Sequence, residues 1–154
     1  MPIPDGLLEA YRRTRYCADL PDGEVVLRIG ECSPGLDGLL AARGAHAWAF
    51  ITADNPGSVI AASTMEASTI DAPTIDPVGN AARRARLLAH VQGLGLAWFT
   101  GRATADAGDW PAEESLLVLG LDLNEARDLG RRFGQLAVVA GVQGGPARLV
   151  ACDF

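Results

Sequence analysis

The sequence predicts an α+β fold, a single compact domain in which helices pack against a mixed β-sheet of about six or seven strands. The chain has 154 residues, of which 49% are apolar. This is the length of one domain and enough apolar material for a core, so we expect residues 1–154 to fold together. Helix and strand patterns follow in the order α β β α β α β β α β β. Two strand–helix–strand units favour some parallel pairing, and two hairpins add antiparallel pairs.

Four helices are predicted from apolar periodicity and from residues typical of helix starts. Ser33 followed by Pro34 is typical of an N-cap and a first helical position. Asn80 is the predicted N-cap of the third helix. Asp122 and Glu125 have the spacing of a capping box at the fourth. The predicted helices are residues 4–13, 34–43, 81–92 and 123–133.

Seven strands are predicted from short apolar runs between turn residues. The turn Pro21-Asp22-Gly23 joins the first two strands into a hairpin, and Gly144-Gly145-Pro146 joins the last two. Residues 101–111 are rich in Gly and Asp and are predicted to form a loop. The predicted strands are residues 14–20, 24–30, 46–53, 96–100, 115–121, 136–142 and 147–152.

A five-residue unit occurs three times in residues 62–76, as ASTME, ASTID and APTID. Three such short units cannot bury a core of their own, and a surface loop accepts inserted residues at small entropic cost. We therefore expect residues 57–78 to be a mobile surface-loop insertion that carries the tandem repeat. A repeat module with its own function is the alternative.

The charge composition restricts the possible ligands. The net charge is −6 with a pI near 4.8, which argues against non-specific binding to nucleic acid phosphates but allows a local basic patch. All 13 basic residues are arginine, so Schiff-base chemistry and a phosphate-loop lysine are excluded. Any bound anion has to be held by guanidinium groups or backbone N–H groups.

The sequence predicts a soluble cytoplasmic protein without a metal or a cofactor. The three cysteines are odd in number and form no CxxC pair, which argues against a disulfide framework or a zinc ribbon. No apolar stretch reaches the roughly 18–20 residues that span a membrane, and the first residues do not resemble a signal peptide. His46 and His90 share no motif, and the common catalytic and nucleotide-binding patterns are absent.

The first candidate ligand site is at the start of the third helix. Asn80, Arg83 and Arg84 lie there, where free backbone N–H groups favour an anion. Arg84 also heads the apolar stripe of this helix, and a guanidinium in that position needs a partner. The cluster is therefore either an anion site or a structural ion pair with Glu113 or Glu114.

Glu114 is the candidate catalytic acid/base, and Ser115 is its neighbour. Successive residues of a strand point to opposite faces, so these two can share one pocket only if the strand bulges. A charge at a strand edge, paired with an arginine, is the alternative for Glu114.

Further candidates lie near the fourth helix and in the loop before the fifth strand. Arg131 and Arg132 with Gln135 could bind an anion. Alternatively, the two cations complement the helix C-terminus, and Arg132 forms an i,i+4 pair with Asp128. Trp110 is a candidate for lining a cleft, with packing beneath its loop as the alternative.

Several of these segments form an ordered set. They are Leu27–Gly30, Phe50–Ala53 with Asn55-Pro56, Asn80–Arg83 with Leu87, Asp109–Pro111, Glu114–Val118 and Phe133–Gln135. Together, over about residues 11–151, they resemble the bacterial family called domain of unknown function 3293. The repeat at 62–76 departs from the family, in which we expect a much shorter loop. The resemblance implies a single compact domain and no known reaction.

Two functions follow as expectations. The first is a soluble module that binds an anionic small molecule or a protein partner in an arginine-containing cleft. The expected ligand-binding residues are Asn80, Arg83, Arg84, Trp110, Ser115 and Gln135. The alternative is a hydrolase or transferase that acts on a nucleotide or phosphoester with Glu114 as acid/base. Neither a membrane nor a nucleic acid is an expected partner.

Overall fold

The computed structural model describes residues 5–54, 77–106 and 112–152. This part of the chain contains four helices and seven strands in the predicted order. The helices are α1 (Asp5–Arg12), α2 (Pro34–Arg43), α3 (Pro77–Leu94) and α4 (Leu123–Arg132). The strands are β1 (Thr14–Leu20), β2 (Gly23–Leu27), β3 (Ala47–Thr52), β4 (Trp98–Ala105), β5 (Glu113–Leu119), β6 (Ala137–Val142) and β7 (Arg148–Ala151).

The strands form one sheet in the order β2-β1-β4-β5-β3-β6-β7, and every neighbouring pair is antiparallel. The α+β class and the seven strands are confirmed, but the parallel strand pairs that we expected do not form. β3 and β4 do run in the same direction, but β5 lies between them and pairs with both. In the same way, β3 lies between β5 and β6.

The segment from β3 to β6 has the strand order of a split β-α-β, or ferredoxin-like, motif. Its strands stand as β4-β5-β3-β6, with α3 and α4 as the two connections. The β1–β2 hairpin extends the sheet beyond β4, and β7 extends it beyond β6. The two connecting helices pack on the same face of the sheet, which brings them close to each other.

The sheet curls until its two edges meet. Ile29, which follows β2, forms an isolated parallel bridge with Ala147, which precedes β7. The N–H of Gly30 donates to the carbonyl of Ala147 at 2.8 Å, and the N–H of Ala147 donates to the carbonyl of Glu31 at 2.9 Å. These bonds satisfy backbone groups that an open edge would expose.

A separate core covers each face of the sheet. On one face, α3 contributes Leu87 and Val91 and α4 contributes Leu129. On the other face, α2 contributes Leu36 and Leu40. Alternate residues of β3, β5 and β6 point into one core or the other, as the pleat of a strand requires.

Two boundaries differ most from the prediction. α3 begins at Pro77 rather than at residue 81, because proline suits the first turn of a helix, where its missing N–H costs nothing. Asn80 is therefore inside that turn and is not the N-cap. β4 continues to Ala105, where a loop was expected from residue 101, because residues 101–105 pair with β1. The caps at Ser33 and Asp122 are confirmed.

Most of the predicted insertion falls outside the described residues. Residues 57–76, including the repeat at 62–76, lie there, whereas Pro77 and Val78 belong to α3. No helix of the described ranges is long and apolar enough to cross a membrane. Cys17 and Cys32 are free thiols, and Cys32 is exposed.

Gly130 sets how closely α4 approaches the sheet. A Cβ at this position would lie 2.5 Å from Cγ1 of Val138 and 2.7 Å from Sγ of Cys152. Both distances are shorter than a van der Waals contact, so any larger residue has to push the helix away. The absence of a side chain at Gly130 thus fixes where the C-terminal end of α4 lies.

Candidate functional site

Asp54 is the buried centre of a junction at the end of β3. Its carboxylate accepts hydrogen bonds from Nε and Nη2 of Arg84, both at 2.6 Å, and from the backbone N–H of Glu114 at 3.1 Å. Its carbonyl accepts one from the side-chain amide of Gln135 at 3.1 Å. Asp54 is only 1% exposed, so these donors replace the water it has lost. The junction joins β3 to α3, β5 and the turn before β6.

Arg84 is therefore engaged in a bidentate ion pair within the protein. The hydrogen bond to Asp54 is the main cause that raises the pKa of Arg84 above its usual range, and nearby carboxylates add to the rise while burial opposes it. The ion pair that the sequence offered as an alternative is present. The carboxylate that contacts Arg84 is that of Asp54, whereas Glu114 and Glu113, the partners that the sequence offered, act on Arg84 through their nearby charges.

Arg83 is held beside this junction. Its Nε–H donates to the carbonyl of Ala53 at 3.0 Å, and its Nη2 donates to Oδ1 of Asn80. Both acceptors are neutral, so these contacts position the positive charge of Arg83 without neutralising it. Within the described residues no carboxylate pairs with this guanidinium, which has further N–H groups that can donate to a ligand.

A groove of about 480 Å³ lies between α3 and the C-terminal end of α4, within the usual size range of ligand pockets. We call it the arginine groove. On α3, three basic side chains share one face at positions i, i+3 and i+7. The described lining residues are Arg83, Arg86, His90, Arg132, Phe133 and Gly134.

The arginines of this groove have no carboxylate partner within residues 5–54, 77–106 and 112–152. The i,i+4 ion pair predicted between Asp128 and Arg132 does not form. Nη1 of Arg132 instead lies 3.3 Å from Nδ1 of His90. A guanidinium can only donate, so Nδ1 accepts and the ring proton is assigned to Nε2.

An aromatic pair forms part of the same lining. The rings of His90 and Phe133 meet edge to face, with centroids 6.5 Å apart and planes at 66°. Phe133 is half-buried and packs against the core beneath α3 and α4. The groove therefore combines positive charge with an apolar ring surface.

The end of α4 is closed by backbone hydrogen bonds. Gly134 adopts a left-handed conformation, with φ of 72°, which glycine adopts without strain. The N–H of Phe133 donates to the carbonyl of Leu129, and the N–H of Gln135 donates to that of Gly130. These bonds occupy the last carbonyls of the helix, which would otherwise disfavour an anion nearby.

The comparison with protein families identifies the same part of the chain. A family model described as "Protein of unknown function (DUF3293)" matches residues 71–138. The chain resembles this family. The match to DUF3293 includes α3, β4, β5 and α4, and thus every described residue that lines the arginine groove. Leu27–Gly30 and Phe50–Ala53, which contributed to the resemblance in the sequence, lie outside the match. No curated protein and no solved structure matches the chain.

The structure separates several of the residues that the sequence grouped. Gln135 is buried, and its amide donates to the Asp54 junction. Ser115 is buried on the sheet face that carries the α2 core, where its hydroxyl donates to the carbonyl of Glu113 at 3.2 Å. Glu114 is exposed on the other face, and the register of β5 with β4 is continuous without a bulge. Trp110 lies outside the described residues.

Four lining residues, Arg86, His90, Phe133 and Gly134, and the junction carboxylate of Asp54 were not predicted as site residues. Arg86 and His90 follow Arg83 at helical spacing, so a search for basic residues on one helix face could have found them. Asp54 directly follows an apolar strand, which is a detectable signal for a buried carboxylate. Phe133 offers no such signal, because an aromatic residue at a helix end is usually core.

The described lining determines what the groove can do chemically. Guanidinium groups bind phosphate and carboxylate groups through paired N–H donors. The described lining residues include no carboxylate, hydroxyl or thiol, so among them His90 alone has a side chain of the kind used in acid/base or nucleophilic catalysis. In the part of the chain that the structure describes, no three His, Cys, Asp or Glu side chains are grouped as metal ligands would be.

Proposed function

We propose that this protein is a soluble binding module of the bacterial cytoplasm that takes up an anionic small molecule in the arginine groove. The observation that carries the proposal is the set of three arginines, Arg83, Arg86 and Arg132, around one groove without a carboxylate partner in the described residues. Like charges this close repel one another, and a bound anion relieves that repulsion.

The contrast with the rest of the protein supports this function. The chain carries a net charge of −6, so acidic residues are plentiful, yet none is among the described lining. The groove therefore attracts an anion locally while the protein as a whole repels large polyanions. This favours a small ligand over a nucleic acid.

The positions of the arginines also support binding. Arg83 is fixed by Ala53 and Asn80, and Arg132 is oriented by His90. Side chains that are already ordered lose less conformational entropy when they bind a ligand. Arg86 is exposed and is free to close over a bound anion.

The cytoplasmic location rests on the cysteines. Cys17 and Cys32 are free thiols, and Cys32 is exposed, which suits a reducing compartment. The bacterial origin rests on the resemblance to DUF3293.

A hydrolase or transferase with Glu114 as acid/base remains the alternative. It predicts turnover of a nucleotide or phosphoester that Glu114→Gln abolishes without a change in fold. Glu114 is not among the described lining residues, and no observation favours this function over binding.

A thermal-shift screen with inorganic phosphate, pyrophosphate, sulfate and citrate tests the proposal. A ligand at 100 times its Kd adds about 2.7 kcal/mol to the free energy of unfolding, which raises Tm by about 5–10 °C for a domain of this size. We expect such a rise in the wild type and its loss in Arg86→Gln and Arg132→Gln.

Arg148→Gln is the matched control, because Arg148 is an exposed arginine of β7 that is not part of the described lining. Arg83 is a poorer choice, since its replacement also removes hydrogen bonds to Ala53 and Asn80. If no anion raises Tm, or if Arg148→Gln loses the rise as fully as Arg86→Gln, the groove is not the site. The search then turns to a protein partner.

A further inference from the structure

We infer that the ligand of the arginine groove is a single nucleotide, with its phosphate at the arginines and its base against Phe133. This inference rests on the proposed function and names its ligand class. It is carried by the placement of an aromatic ring beside guanidinium groups in one groove.

The arrangement of the three arginines suits a phosphate group. Arg83 and Arg86 are one turn apart on α3, and Arg132 comes from the end of α4. Guanidinium groups converging from two helices can each donate paired hydrogen bonds to the oxygens of a phosphate monoester. A carboxylate offers only two oxygens and a single charge, and so engages fewer of these donors.

The ring surface distinguishes a nucleotide from a phosphorylated sugar. Phe133 lines the groove, and His90 meets it edge to face at 6.5 Å. An aromatic base gains about 1–3 kcal/mol from stacking on such a ring. A sugar ring carries hydroxyl groups that would lose water against the same surface without an equal gain.

The size of the groove and the net charge of the protein favour one nucleotide over a nucleic acid strand. The groove has a volume of about 480 Å³, which corresponds to a single ligand of ordinary size. A nucleic acid strand would extend beyond the groove over the surface of a protein with a net charge of −6. Each further phosphate would be repelled by that charge.

Calorimetric titration of the wild type with inorganic phosphate, ribose 5-phosphate and the four ribonucleoside monophosphates tests the inference. We expect at least one nucleotide to bind about tenfold more tightly than ribose 5-phosphate, equivalent to about 1.4 kcal/mol. If ribose 5-phosphate binds as tightly as every nucleotide, the nucleotide inference is overturned while the proposed function stands. If no phosphate compound binds, the nucleotide inference fails, and the proposed function then depends on whether sulfate or citrate raises Tm in the thermal-shift screen.

The variant Phe133→Leu assigns the preference to the ring. Leucine keeps an apolar side chain against the core, so the ratio of nucleotide to ribose 5-phosphate affinity should fall towards one while phosphate binding persists. Phe99→Leu is the matched control, since Phe99 is also half-buried with an arginine, Arg43, 5.3 Å from its ring centroid. A ratio that survives in Phe133→Leu would overturn the assignment. Should that variant not fold, the wild-type ratio alone decides.

Discussion

Two groups of arginines on this protein differ in how their charge is neutralised. On the part of the sheet formed by β1, β2 and β4, Arg28 makes a bidentate pair with Asp106 at 2.9 and 2.8 Å, and Arg102 pairs with Asp19 and Glu24. In the arginine groove, by contrast, no described guanidinium meets a carboxylate.

Arginine content by itself therefore does not indicate where a binding site lies. Across the three adjacent strands β2, β1 and β4, the strand order brings acidic side chains within reach of Arg28 and Arg102, and each of these arginines forms an ion pair. Between α3 and α4, the groove is lined from both sides by basic residues, so the missing counter-charge has to come from a ligand or from solvent ions.

The largest expected effect concerns Arg84, which belongs to neither group because its partner is buried. Arg84→Ala leaves the carboxylate of Asp54 buried without its main partner, and should lower the free energy of unfolding by about 3 kcal/mol. Arg86→Ala, two residues along the same helix, should change it by less than about 0.5 kcal/mol. Urea denaturation of both variants measures the contrast.

Equal losses in the two variants would contradict the division of these arginines into paired and unpaired. Asp54→Asn provides a further control. Because the side chain of Arg84 is 42% exposed, water can solvate it when its partner is neutral. The loss in Asp54→Asn should therefore be smaller than in Arg84→Ala.

An intermediate effect is expected when a carboxylate is introduced into the arginine groove, as in the ion pairs of β1, β2 and β4. His90→Glu places a carboxylate four residues after Arg86 and next to Arg132, where it can neutralise both. We expect phosphate affinity to fall at least about tenfold, equivalent to about 1.4 kcal/mol, with little change in Tm. Calorimetric titration with inorganic phosphate provides the measurement.

The control for this change is His90→Gln. Glutamine has the size and shape of glutamate, so this variant removes the ring but adds no charge. Phosphate binding should largely persist in that variant. Comparable losses in the glutamate and glutamine variants would mean that the histidine ring, rather than the absence of a carboxylate, makes the groove receptive to anions.

The smallest effect is expected at the exposed pair of Arg28 and Asp106. The hydrogen bond from Arg28 is the main cause that holds the pKa of Asp106 below its ordinary value of 3.8. A lowered carboxylate pKa stabilises the fold above the ordinary pKa, and this contribution is lost as the pH falls through the folded-state pKa. Wild type should therefore melt slightly above Asp106→Asn at pH 6, and the gap should narrow as the pH falls below 3.8.

Salt checks the origin of that gap, because an exposed pair is screened by ions. The difference in Tm at pH 6 should shrink in 1 M NaCl. A gap that is independent of both pH and salt would show that the substitution acts through packing instead.

Phe133 and Asp54 illustrate why the site was only partly predictable. Arg83 and Arg132 were named as candidates because their helical contexts are local in sequence. Their convergence, and the inclusion of Phe133, depend on two helices separated by 28 residues meeting on one face of the sheet. The ion pair of Asp54 with Arg84 was not predicted because the two residues are 30 positions apart, and no local pattern indicates such a pair.

Interactions between residues that are close in sequence determined the helices and strands of this protein. The capping residues Ser33 and Asp122 and the alternation of apolar residues act within a few positions, so the order of helices and strands was predictable from the sequence alone. Tertiary structure decided which strands became neighbours, which guanidinium met Asp54 and which were left facing a groove. Those outcomes depend on contacts between segments that are distant in sequence. The energies of such contacts cannot be deduced from any short stretch of the chain.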